Sequence, residues 1–396
     1  MIRSLFVLPL LALAGVAAAC SSSDDNGTTT PTGDAGSTND ASPTGDAGAA
    51  LSFTPSNLDL SGIDLSNVGD YVVDQPNCEI YTTEKLATCG DTDTLAFGVV
   101  EQPNGGGKIG VYVARSIRVE PNASLLPHVT GAFPLALVAL DTMDVQGVID
   151  VSAHDSRVSA GGFKAPATES TKGSGPGGGT GGTTTNAAGG GAYCGVGGKG
   201  GSSDAMPTAG GASYGSPVII PLTGGSSGGN GSLPFAGTGG GAVQLVAGKK
   251  FTLGANATVA ANGGGGINGG TSSQHASGGG SGGSILIESP DASILGSLIA
   301  NGGAGGSKSS GQDGQLDGKQ AVGDRNTNGA TGGSGSAQEG PDGVDGTWAA
   351  GDPAAGGGGG AGRIRINSTT GNVALSARRL SPSANGPCTT EGKLSQ

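Results

Sequence analysis

Charged and aromatic side chains are both scarce in this chain. Charged residues make up 13% of its 396 positions and aromatics 3%, which excludes a highly charged disordered polymer. It has no basic cluster, and 31 acidic residues against 19 basic ones give a net charge of −12, so nucleic acid is not expected as a partner. Beyond the N-terminus no long apolar run occurs, which argues against a polytopic membrane protein. Glycine is abundant, at 84 residues, yet runs such as Gly356 to Gly360 break the three-residue period that collagen requires. Of the 84 glycines, 63 fall between Gly173 and Gly362. The remainder reads as an ordinary β-forming sequence into which glycine-rich segments are set.

The N-terminus carries a compartment signal. Met1-Ile2-Arg3 is a short positive region, and Leu5 to Leu13 is apolar but too short to span a bilayer. Ala17-Ala18-Ala19 precede Cys20. This arrangement resembles a bacterial lipoprotein signal, in which Cys20 is acylated and becomes the first mature residue. The alternative is an ordinary secretory leader cleaved near Ala19. Acyl chains contribute about 0.8 kcal/mol per buried CH₂, so several of them anchor a protein to a membrane without any spanning helix. Ser21 rather than Asp follows the cysteine, which by analogy with lipoprotein sorting points to the outer membrane. Residues 21–50 contain only Ser, Asp, Asn, Gly, Thr, Pro and Ala and are expected to form a disordered tether reaching roughly 30 Å. The folded domain is expected over 51–396.

Four further cysteines, Cys78, Cys89, Cys194 and Cys388, fit two disulfides in an oxidising compartment, with three connectivities open. Pairing Cys78 with Cys89 closes a short loop and leaves Cys194 with Cys388. A metal site would need closer cysteine spacing and nearby histidines, so no metal or cofactor is expected.

Three strand-like runs recur directly after glycine: Ala242 to Ala247, Ser284 to Ser289 and Arg363 to Ser368. In the last, Ile364 and Ile366 alternate with Arg363 and Arg365, one pair to each face. A turn and second short strands follow, and two units close on the same phrase, Ala261-Asn-Gly-Gly264 and Ala300-Asn-Gly-Gly303. The third closes loosely on Ala384-Asn-Gly386. Earlier segments around Gly110 to Val119 and Leu135 to Ser152 fit the same frame. Short strands in units of about 20 residues predict an all-β fold, a parallel β-helix-like stack with long glycine-rich insertions at 173–241, 263–283 and 302–362. A repeated corner asparagine would form a ladder of side-chain hydrogen bonds. A β-sandwich with glycine-rich loops is the competing architecture. The insertions themselves read either as disordered loops or as ordered three-residue-per-turn helices packed through their glycine faces.

The runs Pro134 to Ala139, Gly239 to Ala247, Gly278 to Glu288 and Gly356 to Asn367 resemble a group of glycine-rich lipoproteins from myxobacteria, over most of the chain from about residue 60. That group has no assigned activity, so the resemblance implies location and architecture alone. A weaker compositional likeness to the PE-PGRS proteins lacks their helical N-terminal module.

Chemical motifs fail in context. GxSxG occurs around Ser226 and Ser281, but a nucleophile elbow needs a strand before the serine and a helix after it. GxGxxG at Gly195 to Gly200 has no following helix, and Lys199 is not followed by Ser or Thr. His128, His154 and His275 lie far apart, with His154 placed near Asp150 at a predicted corner. Asp313, Asp317, Asp324, Asp342, Asp345 and Asp352 share one insertion. No nonapeptide calcium repeat accompanies them, so they read as solvating charge. The expected function is therefore a lipid-anchored, non-catalytic surface protein for adhesion, matrix contact or envelope structure. Its partners would be the membrane, through the anchor, and polysaccharide or matrix. The alternative is a polysaccharide-active enzyme using Asp141, Asp144, Asp150 and Arg157, although the single Trp348 offers little platform for sugar.

Overall fold

The computed structural model describes residues 51–395, apart from 104, 128–132, 155, 156, 158, 270–273, 324–329, 339 and 376–379. Cys20, the tether, His128 and Asp324 lie outside the described residues. The chain forms β1 (Asp70–Val73), β2 (Cys78–Ile80), β3 (Ala96–Glu101), β4 (Lys108–Ala114), β5 (Ser116–Val119) and β6 (Ser124–Pro127). It continues through β7 (Leu135–Ala139), β8 (Thr142–Val145), β9 (Val148–Asp150), β10 (Ala242–Ala247), β11 (Lys250–Leu253) and β12 (Thr258–Ala260). The last strands are β13 (Ser284–Glu288), β14 (Asp291–Ile294), β15 (Ser297–Ile299), β16 (Arg363–Ser368), β17 (Leu380–Ser381) and β18 (Thr389–Lys393). A single 3₁₀ turn, Thr92–Thr94, is the one helical element among the described residues. The fold is all-β, as expected.

The strands form three open sheets, ordered β18-β16-β13-β10-β7-β4-β3, β1-β5-β8-β11-β14 and β17-β15-β12-β9-β6-β2. Among the described residues every pairing between these strands is parallel except β3 with β4. From β4 to β15 the chain gives one strand to each sheet in fixed rotation, so that each strand from β4 to β13 pairs with the third one after it. Alternation decides which side chains face inward. Leu135, Val243, Ile285 and Ile364 lie in register as one column, and Leu137, Leu245, Ile287 and Ile366 as the next. All eight are buried in the same apolar cluster.

The outward face of the seven-stranded sheet is covered too. Phe53, Leu58 and Ile63, from the segment before β1, pack on Val111, Val138, Val246 and Leu286. Glu288, fully buried on β13, fastens that segment. Its carboxylate accepts the Ser56 N–H (3.0 Å), the Ser56 hydroxyl (2.5 Å), Gln244 Nε2 (2.7 Å) and Asn367 Nδ2 (3.1 Å). A buried carboxylate needs such a set of donors.

The corner ladder is present, with its last rung changed. Asn262 N–H donates to Ser152 Oγ (2.9 Å), Asn301 N–H to Asn262 Oδ1 (2.8 Å), and the Ser381 hydroxyl to Asn301 Oδ1 (2.7 Å). Ser381, not Asn385, ends the column, and Asn385 is exposed.

Where the structure describes them, the glycine-rich insertions are ordered. In segment 275–283 the N–H groups of Ala276, Gly279 and Gly282 donate to the carbonyls of Ala354, Gly357 and Gly360. Those of Ser277, Gly280 and Gly283 reach Ile267, Gly264 and Ala261, and those of Gly278 and Ser281 reach Gly229 and Ser226. The bonds thus rotate among three neighbours with a three-residue period, that of an extended threefold helix. Carbonyls of the same segment accept from Ala188 and Gly191, from Gly303 and Gly306, and from Gly237 and Gly240. Six neighbours therefore surround it. Segments 187–193 and 354–362 are each enclosed by six in the same way. At the points of closest approach only glycine fits. A Cβ on Gly278 would lie 2.0 Å from the Gly189 carbonyl oxygen, and one on Gly283 1.8 Å from that of Gly241. Of the two readings of these insertions, the packed threefold helices are the one found in their described segments.

Candidate functional site

The carboxylates singled out in the sequence divide. Asp141 is ion-paired with Lys249. Asp144 lies 3.9 Å from Arg118 and accepts Gln146 Nε2 at 2.5 Å. Asp150, at the end of β9, is only 7% exposed and accepts the Ser152 N–H at 2.9 Å. Its Oδ2 is 4.0 Å from His154 Nε2, while His154 Nδ1 is 3.4 Å from Asp313 Oδ2. Asp313 Oδ1 in turn accepts the Gly265 N–H at 2.7 Å. The structure thus joins His154 to Asp150, as expected from the sequence, and adds Asp313 from an insertion 159 residues away. Arg157 is exposed beside them, its N–H on the His154 carbonyl at 2.9 Å.

The hydrogen bond to Asp313 lifts the His154 pKa above its ordinary value; burial opposes this and the charge of Asp150 adds to it. A raised folded pKa means that protonation favours the fold. The contribution is complete below about pH 6.5, the ordinary histidine value, and is lost as pH rises through the folded one. Stability should therefore fall slightly over that window, by under about 1 kcal/mol for so exposed a ring. His154→Ala should remove that slope in pH-dependent denaturant melts.

The other motif residues have structural duties. Ser281 and Ser226 are fully buried in the glycine bundle. Ser281 Oγ accepts the Ser226 N–H at 2.9 Å, and Ser226 Oγ accepts the Gly177 N–H at 3.0 Å. Neither has the strand-before, helix-after setting of a nucleophile. Lys199 and Val196 lie at the bundle margin, where Asp345 Oδ1 accepts the Lys199 N–H (2.7 Å) and Asp342 Oδ1 the Val196 N–H (2.9 Å). Three of the acids read as solvating charge, Asp313, Asp342 and Asp345, therefore close backbone donors at edges where the lattice stops, a role their three-residue spacing at 342 and 345 could have signalled. Asp352 is ion-paired with Lys308. Among the described residues no group of three His, Cys, Asp or Glu is placed to hold a metal ion.

Both disulfides have the expected pairing, Cys78–Cys89 and Cys194–Cys388. The second ties the bundle to the segment entering β18. Beside it Arg363 lies 5.4 Å over the ring of Tyr193, whose hydroxyl burial pushes up to about 12, and donates from Nη2 to the Tyr214 carbonyl at 2.8 Å.

One cluster had no signal in the sequence. At the bundle end away from the strands, buried His275 joins three loops. Its Nδ1 accepts the Ala354 N–H (2.9 Å), its Nε2 faces the Thr184 carbonyl (3.0 Å), and its own N–H donates to Ser232 Oγ (2.9 Å). These bonds select the Nε2–H tautomer. Asn186 Nδ2 donates to the Met206 carbonyl at 2.9 Å. Asn230 Nδ2 donates to the carbonyls of Pro166 and Thr168, both at 2.6 Å, and its Oδ1 accepts the Ala236 N–H. Backbone bonding alone does not fix such returns, so polar side chains hold the loop tips. No family model, curated protein or solved structure matches the chain.

Proposed function

We propose that this is a lipid-anchored surface protein with a structural or matrix-contacting role rather than a catalytic one, its body a parallel β-helix-like stack carrying a bundle of glycine helices. The rotation of strands among three sheets, those from β4 to β13 each pairing with the third one after it, supports the helical stack. One observation carries the functional reading. Four of the groups in the insertions that could do chemistry, Ser226, Ser281, Asp342 and Asp345, are engaged with lattice N–H groups. This is what a rigid presenting scaffold requires. Acylation at Cys20 would hold it at the outer membrane. Cys20→Ser should release the protein from the membrane fraction into the soluble one; a variant that still pellets with the outer membrane would refute the anchor.

The Asp150–His154–Asp313 cluster favours a second reading, a polysaccharide-active enzyme. Incubating mature protein with a polysaccharide panel, reading both retention and reducing-end release, separates the two. Retention without turnover, unchanged in Asp150→Asn, is expected. Turnover that vanishes in that variant would overturn the non-catalytic reading.

A further inference from the structure

We infer that the loop end of the glycine bundle is a binding face for uncharged polysaccharide, with Phe235 and Trp348 as its stacking platforms. The inference rests on the matrix-contact reading above. In a chain with 7 Phe, 5 Tyr and 1 Trp, the aromatic side chains are otherwise buried or partly buried among the described residues. Only Phe235 (45%) and Trp348 (42%) are exposed, and both sit on loops at the same end of the bundle. The most exposed large apolar residue, Met206 (70%), is there too. His275, through Ser232, Thr184 and Ala354, links the loops that carry Phe235 and Trp348 to the 183–186 turn, which in turn holds Met206 through Asn186.

Two of the six non-glycine residues with positive φ among the described residues lie at these tips. Phe235 has φ +77° and Ala205, before Met206, φ +62°. A bulky side chain in the left-handed region is costly and persists only where its surroundings impose it. Asn230 imposes it here, holding Ala236 and the 166–168 backbone. The loops therefore hold exposed apolar groups outward at an energetic cost.

The partner class follows from what surrounds those groups. The aromatics stand on separate loops whose neighbours at this end, Thr183, Thr184, Ser203 and Thr347, are exposed and polar, the Thr183, Ser203 and Thr347 hydroxyls bonding within the loops. A protein or lipid partner would call for one contiguous apolar patch. Single rings on separate polar loops suit a sugar chain, whose apolar ring faces stack on them one at a time. Asp204, exposed beside Met206 and accepting the Met206 N–H, places negative charge on this face, which disfavours a polyanionic ligand.

Trp348 is the only tryptophan, so its fluorescence reports on this face directly. The experiment titrates mature protein with laminarin and cello-oligosaccharides, following Trp348 emission, alongside pull-down on insoluble cellulose and on phosphatidylglycerol vesicles. Saturable emission change with a neutral glucan is expected. Phe235→Gly should weaken binding about tenfold, the scale of one well-placed ring contact, while its melting temperature is kept or raised because glycine relieves the strained φ. Trp348→Leu should weaken cellulose retention similarly. No emission change with any neutral glucan, or retention unaltered in both variants, would overturn the inference while leaving a contact role elsewhere on the molecule. Vesicle binding lost in Phe235→Gly would overturn it in favour of a lipid surface. Glycan cleavage would instead defeat the non-catalytic reading beneath it.

Discussion

Gly280→Ala should destabilise the protein by roughly 3 kcal/mol or more, a large effect for one methyl group. The new Cβ would lie 1.9 Å from the Thr238 carbonyl oxygen and 2.9 Å from that of Gly237. Neither can swing aside as a side chain would, since Gly264 N–H holds the first and Gly228 N–H the second. Alanine also restricts the unfolded chain, which opposes the loss by about 0.4–1 kcal/mol, too little to change the sign. Gly340→Ala is the matched control, because nothing lies within 4 Å of a Cβ there. Its melting temperature should match the parent's. Equal melting of both variants in thermal denaturation would mean that the bundle is not close-packed.

Ile364→Asp should cost more than about 4 kcal/mol and abolish cooperative melting at moderate temperature. Ile364 is fully buried, stacked between Ile285 on β13 and Thr389 on β18. Aspartate there leaves a cavity and strands a carboxylate among aliphatic side chains. Ile364→Val, which removes one methylene, should cost only about 0.5–1.5 kcal/mol. Circular dichroism during guanidinium titration measures both. An unchanged midpoint for the aspartate variant would show that the alternation in β16 has been assigned to the wrong face.

The sequence disclosed the strands far better than what lies between them. Ile364 and Ile366 alternate with arginines, and the Asn-Gly-Gly phrase returns at a fixed place in two units; both are local periodic signals that survive reading one residue at a time. β3 pairs antiparallel with β4 across a connection whose Pro103-Asn104-Gly105 is a hairpin signal outside the repeat frame, and the covering segment from Phe53 to Ile63 declares itself only once an outward sheet face exists to be covered. The bundle is harder still. Its hydrogen bonds link Gly279 with Gly357, and Ala188 with Ala276, and a run of near-identical glycines carries no mark of which partner it takes. Asp313 illustrates the same limit at the candidate site. Its role depends on His154 and Gly265, neither of which its neighbours in sequence identify.

The glycine bundle also sets an unusual heat-capacity balance. Ordinary cores hide hydrocarbon, and exposing it on unfolding raises the heat capacity, whereas exposing peptide groups lowers it. Segments such as 275–283 and 354–362 bury mostly backbone amide, with almost no side chain. Each residue of the bundle therefore adds little to, or subtracts from, the positive heat-capacity change that the isoleucine and leucine columns of the sheets supply. The stability curve of the whole body is flattened as a result, so that its sheets and its bundle weaken at different rates on cooling, the hydrocarbon columns losing driving force while the amide lattice does not.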